Sequence, residues 1–223
     1  MTRQQILLDM GLGPLWLPRA APTSSLEVQA APCIASSPAA SIDDWATLEQ
    51  AVQHCQACAL HKTRQQALLG QGSLQPKILI VSDAPHAEDD AQAGVLTGPK
   101  GRLLRNLLQA LRIDPEHTYW TYAVKCSPYT TAITKQHTQA CATYLHEQIQ
   151  WLQPQLVITL GQTAASALLK RPIDLSQATQ TYYTKNQVPV FCIEHLATLL
   201  QNPEQKAQAW QVLKQVLVFD WMK

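Results

Sequence analysis

The sequence predicts an α/β fold in which helices cover a mostly parallel β-sheet. Short apolar runs, typical of buried strands, alternate along the chain with longer segments of helical periodicity. Of the 223 residues, 46% are hydrophobic and 15% are charged. This composition supplies enough apolar surface for a core, and it excludes a chain that is disordered throughout.

The predicted elements follow one another in a regular order. A helix begins near Ser41 or Asp44 and runs toward Cys55, because hydroxyl and carboxylate side chains cap helix N-termini. In chain order, we then predict a strand at 77–82, a helix at 102–113, a β-rich segment at 118–124, a helix at 134–153, a strand at 156–160, a helix at 161–170, a strand at 188–193 and a helix at 203–219. Ligands of such sheets bind beyond the carboxyl ends of the strands.

The composition divides the chain into three parts. Residues 1–18 are predicted to be an interaction peptide, residues 19–41 a flexible linker rich in Ala, Ser and Pro, and residues 42–223 the folded domain. Leu15 and Trp16 lie in the peptide, and a tethered Trp is a typical interface anchor, so we expect them to bind a partner. The alternative is that the peptide folds back onto the domain.

The net charge of +1 does not by itself indicate nucleic acid, although it allows a local basic groove. No run of about 18 apolar residues is present, so we expect no membrane-spanning helix. The first residues lack the apolar core of a signal peptide, which predicts a cytoplasmic location.

Four of the six cysteines have a spacing that points to chemistry. Cys55 and Cys58 form a C-x-x-C pair. Cys126 follows a predicted strand, and Cys141 lies on a predicted helix. Four thiolates can bind an iron–sulfur cluster or a tetrahedral zinc ion. The alternative is a redox-active C-x-x-C pair with two unrelated buried thiols. The remaining cysteines, predicted as a surface thiol and a small core residue, are Cys33 and Cys192.

Five motifs occur in a fixed order. They are CQACALHKTR at 55–64, SDAPHAEDD at 82–90, AGVLTGPKGRLL at 93–104, TYAVKCSP at 121–128 and HLATLLQNPEQK at 195–206. In order and spacing the chain resembles the family 4 uracil-DNA glycosylases, the iron–sulfur branch of their superfamily, over about residues 45–220. The resemblance implies a three-layer αβα sandwich, DNA as the partner, and a [4Fe–4S] cluster on Cys55, Cys58, Cys126 and Cys141.

The same resemblance implies a set of site residues. The catalytic positions are His195, Asp83 and Asp89, with His195 hydrogen-bonding the carbonyl oxygen that becomes negative as the base leaves. The substrate-binding positions are Ser82, Ala84, Leu96 and Tyr122. Each catalytic residue also has a structural alternative: His195 as a core histidine, Asp83 as a cap, and Asp89 with Asp90 as a solvated acidic loop.

The chain departs from the family pattern in the pocket. Leu96 stands where the family stacks an aromatic ring on the base, and Tyr122 where an Asn reads the uracil edge. His195 is followed by Leu196 and Ala197 instead of Pro and Ser. Two functions therefore compete. One is excision of uracil or another base, weak or altered, and the other is a non-catalytic module.

Residues 3–18 resemble the N-terminal segment of the psi subunit of the bacterial DNA polymerase III clamp loader, which docks on the chi subunit. This second resemblance implies a replisome partner for the interaction peptide. It favours the non-catalytic reading, in which the protein acts as an accessory factor in DNA replication.

Overall fold

The computed structural model describes residues 44–175, 182–184 and 187–218. The predicted interaction peptide with Leu15 and Trp16, the predicted linker and Cys33 lie outside these residues. Within the described part, no helix has the length and apolar character needed to span a bilayer.

The described residues form a six-stranded sheet of order β1-β3-β2-β4-β6-β5. The strands are β1 (Gln71–Gly72), β2 (Ile78–Ser82), β3 (Thr118–Tyr122), β4 (Leu156–Leu160), β5 (Tyr182–Tyr183) and β6 (Pro189–Ile193). The four central strands run parallel, and the two short edge strands are antiparallel to their neighbours. The predicted α/β class with a mostly parallel sheet is confirmed.

The helices connect these strands. They are α1 (Trp45–Gln53), α2 (Ala87–Gln92), α3 (Gly98–Ala110), α4 (Lys135–Leu152), α5 (Gln162–Leu169), α6 (Leu196–Gln201) and α7 (Pro203–Val218), with short 3₁₀ turns at Ala59–Lys62 and Pro115–His117. The longest of them, α4, begins where the Thr134 side chain accepts the His137 N–H. It ends where Gln153 adopts a left-handed conformation ahead of Pro154, which cannot continue a helix.

The two faces of the sheet are covered by different helices. In β2, Ile78 and Ile80 pack into the core cluster that α3, α6 and α7 complete. Leu79 and Val81 point the other way and pack into the cluster that α4 and α5 complete. This alternation places one helical layer on each face of the sheet, as expected for strands buried on both sides.

Some element ends differ from the sequence-based expectation. The first helix runs toward Cys55 as expected and ends at Gln53, where the Arg64 guanidinium donates to the carbonyl oxygens of Gln53 and Cys55. The third strand ends at Tyr122 and not at residue 124. The short helices α2 and α6 and the edge strands β1 and β5 were not predicted, since segments of two to six residues carry little periodicity.

Candidate functional site

The parallel strands end side by side at one edge of the sheet. Ser82, the last residue of β2, pairs in register with Tyr122 of β3 on one side and with Leu160 of β4 on the other. Asp83 follows β2 directly, and His195 follows the end of β6 by two residues. The fold therefore brings these four predicted site residues, Ser82, Tyr122, Asp83 and His195, to one edge, where ligands of such sheets bind.

Tyr122 and Leu96 are in direct contact at this edge. The Tyr122 ring is fully buried, and its hydroxyl oxygen accepts the backbone N–H of Leu96 at 2.7 Å. Burial is the main cause that raises the pKa of the Tyr122 phenol, and the Asp89 carboxylate, hydrogen-bonded to the same hydroxyl, raises it further. The predicted stacking and base-reading positions are thus joined by a direct hydrogen bond.

Asp89 is buried, and its contacts are made within the protein. One carboxylate oxygen accepts the Thr97 N–H at 2.7 Å and the Thr97 hydroxyl at 2.6 Å, and the other accepts the His86 N–H at 2.8 Å. Burial alone would raise the pKa of Asp89, but these hydrogen bonds and the Lys100 charge lower it overall. Asp89 joins the start of α2 to the loop before α3, so it is not part of a solvated loop; its catalytic role stays a prediction.

Asp90 is also completely buried, which corrects the same expectation. Its two carboxylate oxygens accept the backbone N–H groups of Gln65 and Gln66 at 2.9 and 2.8 Å. The Tyr129 hydroxyl donates to Asp90 at 2.8 Å. Asp90 therefore fastens the segment after the C-x-x-C pair to α2.

Asp83 reaches across the edge to the start of α5. Its Oδ1 accepts the backbone N–H of Ala164 at 2.7 Å, and the Thr163 side chain also hydrogen-bonds to it. The pKa of Asp83 is raised to about 6 overall. Burial is the main cause and the Glu194 charge adds to it, while the two hydrogen bonds act in the opposite direction. A Cβ on Gly161, where φ is +109°, would lie 2.6 Å from Oδ2, so this close approach requires glycine. Asp83 is thus a capping carboxylate that also lies at the predicted catalytic edge.

His195 caps α6 through its ring. The Nδ1 atom accepts the Ala197 N–H at 3.3 Å, which leaves the proton of the neutral ring on Nε2. Burial, and then the charges of Lys100 and His86, lower the pKa of His195. The ring is therefore neutral near pH 7, with Nε2–H available as a hydrogen-bond donor.

The other two predicted substrate positions have different surroundings. The Ser82 hydroxyl is fully buried at the end of β2 and has no hydrogen-bond partner. Ala84 is half-buried and packs against the apolar cluster that contains Cys58, Cys126 and Cys141. Position 84 therefore lies between the sheet edge and the cysteines.

The four cysteines come together beside this edge. Cys58, Cys126 and Cys141 are buried in one apolar cluster, Cys55 is half-buried next to it, and none of the four is in a disulfide. Burial raises the pKa of the Cys126 and Cys141 thiols, and the neighbouring thiols raise it further. Such mutual effects require the sulfur atoms to lie near one another.

Hydrogen-bond donors point at three of these sulfur atoms, and the backbone N–H of Ala57 donates to the sulfur of Cys55 at 3.5 Å. The Arg64 guanidinium donates to the Cys126 sulfur at 2.8 Å, and the backbone N–H of Lys125 interacts with Cys141. The Lys125 ammonium is completely buried and donates to the Thr121 hydroxyl, to the Tyr122 carbonyl and to Gln148. Burial lowers the pKa of Lys125 to about 7, whereas the nearby thiols raise it.

The model of the uracil DNA glycosylase superfamily matches residues 69–214. This chain belongs to that superfamily. It is 33% identical to the Type-4 uracil-DNA glycosylase of Pyrobaculum aerophilum over 128 residues, 57% of this chain and 65% of the relative. It is 30% identical to that of Saccharolobus solfataricus over 172 residues, 73% of this chain and 80% of the relative.

A third relative is the Type-4 uracil-DNA glycosylase of Archaeoglobus fulgidus, 28% identical over 174 residues. The match covers 74% of this chain and 85% of that relative. The chain thus spans just under two thirds of the Pyrobaculum superfamily member and most of the other two. The fold and the sheet edge described above are those of a uracil DNA glycosylase superfamily member.

The cysteine site offers four sulfur donors. In the part of the chain that the structure describes, no group of three or more His, Cys, Asp or Glu side chains is arranged to hold a metal ion. The donor chemistry nevertheless fits: Cys55, Cys58, Cys126 and Cys141 supply four soft sulfur atoms. Donors such as Arg64 favour the thiolate form that a metal needs.

Sequence reasoning assigned no role to Arg64, Lys125 or Gln148. A lysine that follows an apolar strand and precedes a cysteine is the one local signal for a buried charge. The others act on partners far along the chain: Arg64 on Cys126, and Gln148 on Lys125. No local pattern marks such contacts.

Proposed function

We propose that this protein is a DNA-binding member of the uracil DNA glycosylase superfamily that removes uracil weakly or not at all. Its relatives are named Type-4 uracil-DNA glycosylases, which supports DNA as the substrate class. The observation that carries the proposal is the hydrogen bond from the Leu96 N–H to the Tyr122 hydroxyl. It closes the space in which a base taken out of the DNA stack would have to lie.

Some of the machinery for cleaving an N-glycosidic bond is retained. When the bond between base and sugar breaks, its electron pair moves onto the base, and water then adds to the sugar carbon. Nε2–H of His195 can donate to the base oxygen that becomes negative. Asp83, with a pKa raised to about 6 by burial, is mostly ionised at pH 7 and can stabilise the positive charge that develops on the sugar.

Recognition of the base is what this chain lacks. Stacking on an aromatic ring contributes about 1–3 kcal/mol per base, and Leu96 supplies no ring. Tyr122 offers one hydroxyl, already hydrogen-bonded, in place of an amide with both a donor and an acceptor. Each loss of about 1.4 kcal/mol in transition-state binding lowers the rate about tenfold, so the combined loss reaches several orders of magnitude.

Contacts with DNA phosphates are assigned to α3. Lys100 lies close enough to lower the pKa of His195, though burial of the ring is the larger cause. Arg102 and Arg105 are exposed on the same helix. These cations can hold the DNA backbone beside the sheet edge even where no base is excised.

The proposal includes a [4Fe–4S] cluster on Cys55, Cys58, Cys126 and Cys141. When bound, the cluster would cross-link the segment after α1, the end of β3 and α4, and so stabilise the fold. Anaerobically purified protein is expected to be brown and to contain iron and sulfide. Colourless protein with one equivalent of zinc would contradict the cluster.

The closed pocket is tested by reopening it. The triple variant Leu96→Phe, Tyr122→Asn and Leu196→Pro supplies a ring, an amide and the family's residue after His195. We expect uracil excision from a single-stranded oligonucleotide to rise at least about tenfold over wild type. The matched control is Tyr122→Phe, which keeps the ring in place and is expected to gain no activity.

Two results would contradict the proposal. One is wild-type excision as fast as that of a Type-4 uracil-DNA glycosylase assayed beside it. The other is a triple variant that melts cooperatively, binds DNA and still shows no gain. In that case Ser82, Asp83 or His86 would be the residue that limits activity.

The filled pocket also favours a second function, that of an accessory module without catalysis. Here residues 1–18 bind a replisome subunit, with Leu15 and Trp16 as the contact and the chi subunit as the candidate. Full-length protein is expected to retain chi in a pull-down, and Trp16→Ala to lose it while its melting temperature is unchanged. Retention by both proteins, or by neither, would exclude this function.

A further inference from the structure

A groove lies between the first half of α4 and α5, beside the sheet edge that carries the candidate site. Its volume is about 680 Å³, within the range of about 300–1,000 Å³ of sites for small ligands. None of the described residues that line it is a predicted catalytic, substrate-binding or metal-binding residue. The lining residues that matter here are Lys135, Gln139, Thr163, Lys170 and Arg171.

The groove carries only positive charge. Lys135, Lys170 and Arg171 are exposed along it, and no described lining residue is acidic. The whole chain has a net charge of only +1, so three cations without a carboxylate form a local excess. The Arg171 guanidinium lies 5.2 Å from the centre of the Tyr182 ring, a cation–π contact that orders this side chain.

The groove is continuous with the candidate site. Thr163 lines the groove, and its side chain also hydrogen-bonds to Asp83 at the sheet edge. One end of the groove therefore opens where α5 begins, beside the predicted catalytic residues.

The walls between the cations are partly apolar. Ile133, Ala142 and Pro172 contribute to them, and hydroxyl and amide side chains complete the lining. A simple inorganic anion makes no favourable contact with apolar walls. A ligand with regularly spaced negative charges and weakly polar parts between them fits better, and a nucleic acid strand has sugars and bases between its phosphates.

We propose that this groove binds the phosphodiester backbone of a single DNA strand that passes over the carboxyl edge of the sheet. The inference rests on the proposed DNA binding and adds a second contact region to it. Lys135, Lys170 and Arg171 contact phosphates, and the apolar wall contacts sugars. The groove raises affinity for DNA without reading its sequence.

The test measures binding of the full-length protein to a fluorescein-labelled single-stranded 20-mer that contains no uracil. The variant is K135Q/K170Q/R171Q. The matched control, K77Q/R112Q/K214Q, removes the same charge from positions outside the groove and outside the five sequence motifs. We expect the groove variant to bind about tenfold or more weakly, with the slope of log affinity against log salt reduced by about 2. The control is expected to stay within about twofold of wild type.

A second variant adds charge without removing an existing side-chain contact. Gln139→Glu places a carboxylate in the groove and is expected to weaken binding of the same oligonucleotide about threefold or more. A groove variant that matches the control in both affinity and salt slope would overturn the proposal that the groove binds DNA. Competition by polyglutamate at the same charge concentration as DNA would also overturn the assignment, in favour of an acidic protein.

The design separates this inference from the proposed function. If wild type binds the uracil-free oligonucleotide and the groove variants bind it as well as the control does, the groove proposal fails and DNA binding stands. If wild type binds no DNA at all, both fail. Excision activity does not enter the readout, because the oligonucleotide holds no uracil.

Discussion

The cysteine site and the base pocket lie next to each other at the end of β3, yet they differ in how their polar groups are arranged. Around the cysteines, Arg64 and Lys125 direct donors toward sulfur, and the ammonium of Lys125 is itself matched by three acceptors. At the predicted base pocket, the Tyr122 ring is fully buried, and its hydroxyl accepts the Leu96 N–H.

The difference has an energetic reason. A cluster site contributes to folding, so its ligands and their donors stay useful whether or not the protein is an enzyme. An open base pocket is a cavity that costs stability, and filling it with a ring recovers apolar contacts. A member of this superfamily can therefore keep its cysteine site and close its pocket with a net gain in stability.

The largest expected effect tests the cysteine side of this comparison. Cys141→Ala removes one ligand of the proposed cluster and is expected to abolish iron binding and to lower the free energy of unfolding by several kcal/mol, because binding energy is partly folding energy. The control is Cys192→Ala, which removes a buried thiol in β6 far from the set. Iron content and urea unfolding check both variants; equal behaviour of the two would mean that Cys141 is an ordinary core residue.

The next effect tests the pocket side. Tyr122→Asn leaves a cavity in the core and is expected to destabilise the protein by about 3 kcal/mol. Tyr122→Phe keeps the ring but removes the partner of the Leu96 N–H, at a cost of about 1–2 kcal/mol. Denaturant unfolding at pH 7 measures both. A Tyr122→Asn variant as stable as wild type would show that Tyr122 does not fill a pocket.

A smaller effect concerns Asp83, a capping carboxylate that also lies at the predicted catalytic edge. Burial raises the pKa of Asp83 to about 6, so the folded state holds the proton more tightly than the unfolded chain. Its stabilising contribution is present below about pH 4 and is lost as the pH rises through about 6. Asp83→Asn removes this dependence, so the difference between wild type and variant changes by on the order of 2 kcal/mol between pH 4 and 7. A stability difference between wild type and Asp83→Asn that stays constant from pH 4 to 7 would rule out the raised pKa.

The smallest effect concerns the link between the two regions. The Tyr129 hydroxyl donates to Asp90, which in turn holds the segment at Gln65 and Gln66. Tyr129 is 41% exposed, so Tyr129→Phe is expected to lower the free energy of unfolding only slightly. Asp90→Asn weakens the same segment from its buried end and is expected to cost more. A larger loss for Tyr129→Phe than for Asp90→Asn would show that the linkage runs through the tyrosine.

The sequence by itself determined the fold class and most of the longer elements. The strand at 156–160 is found as predicted, and α4 differs by one residue at each end, because helical and strand periodicity is set by residues close together in the chain. The cysteine set and the departures at Leu96 and Tyr122 were equally visible, since they are properties of single positions in a motif.

The tertiary structure decided what those positions do. Tyr122 reaches an amide 26 residues away, and Arg64 reaches a sulfur 62 residues away, so neither contact follows from local sequence. The sequence allowed Asp90 to be part of a solvated acidic loop. It is instead a buried carboxylate that accepts two backbone N–H groups, which only folding brings to it. The basic groove likewise exists only because α4 and α5 pack side by side, so that Lys135 and Lys170 line one groove.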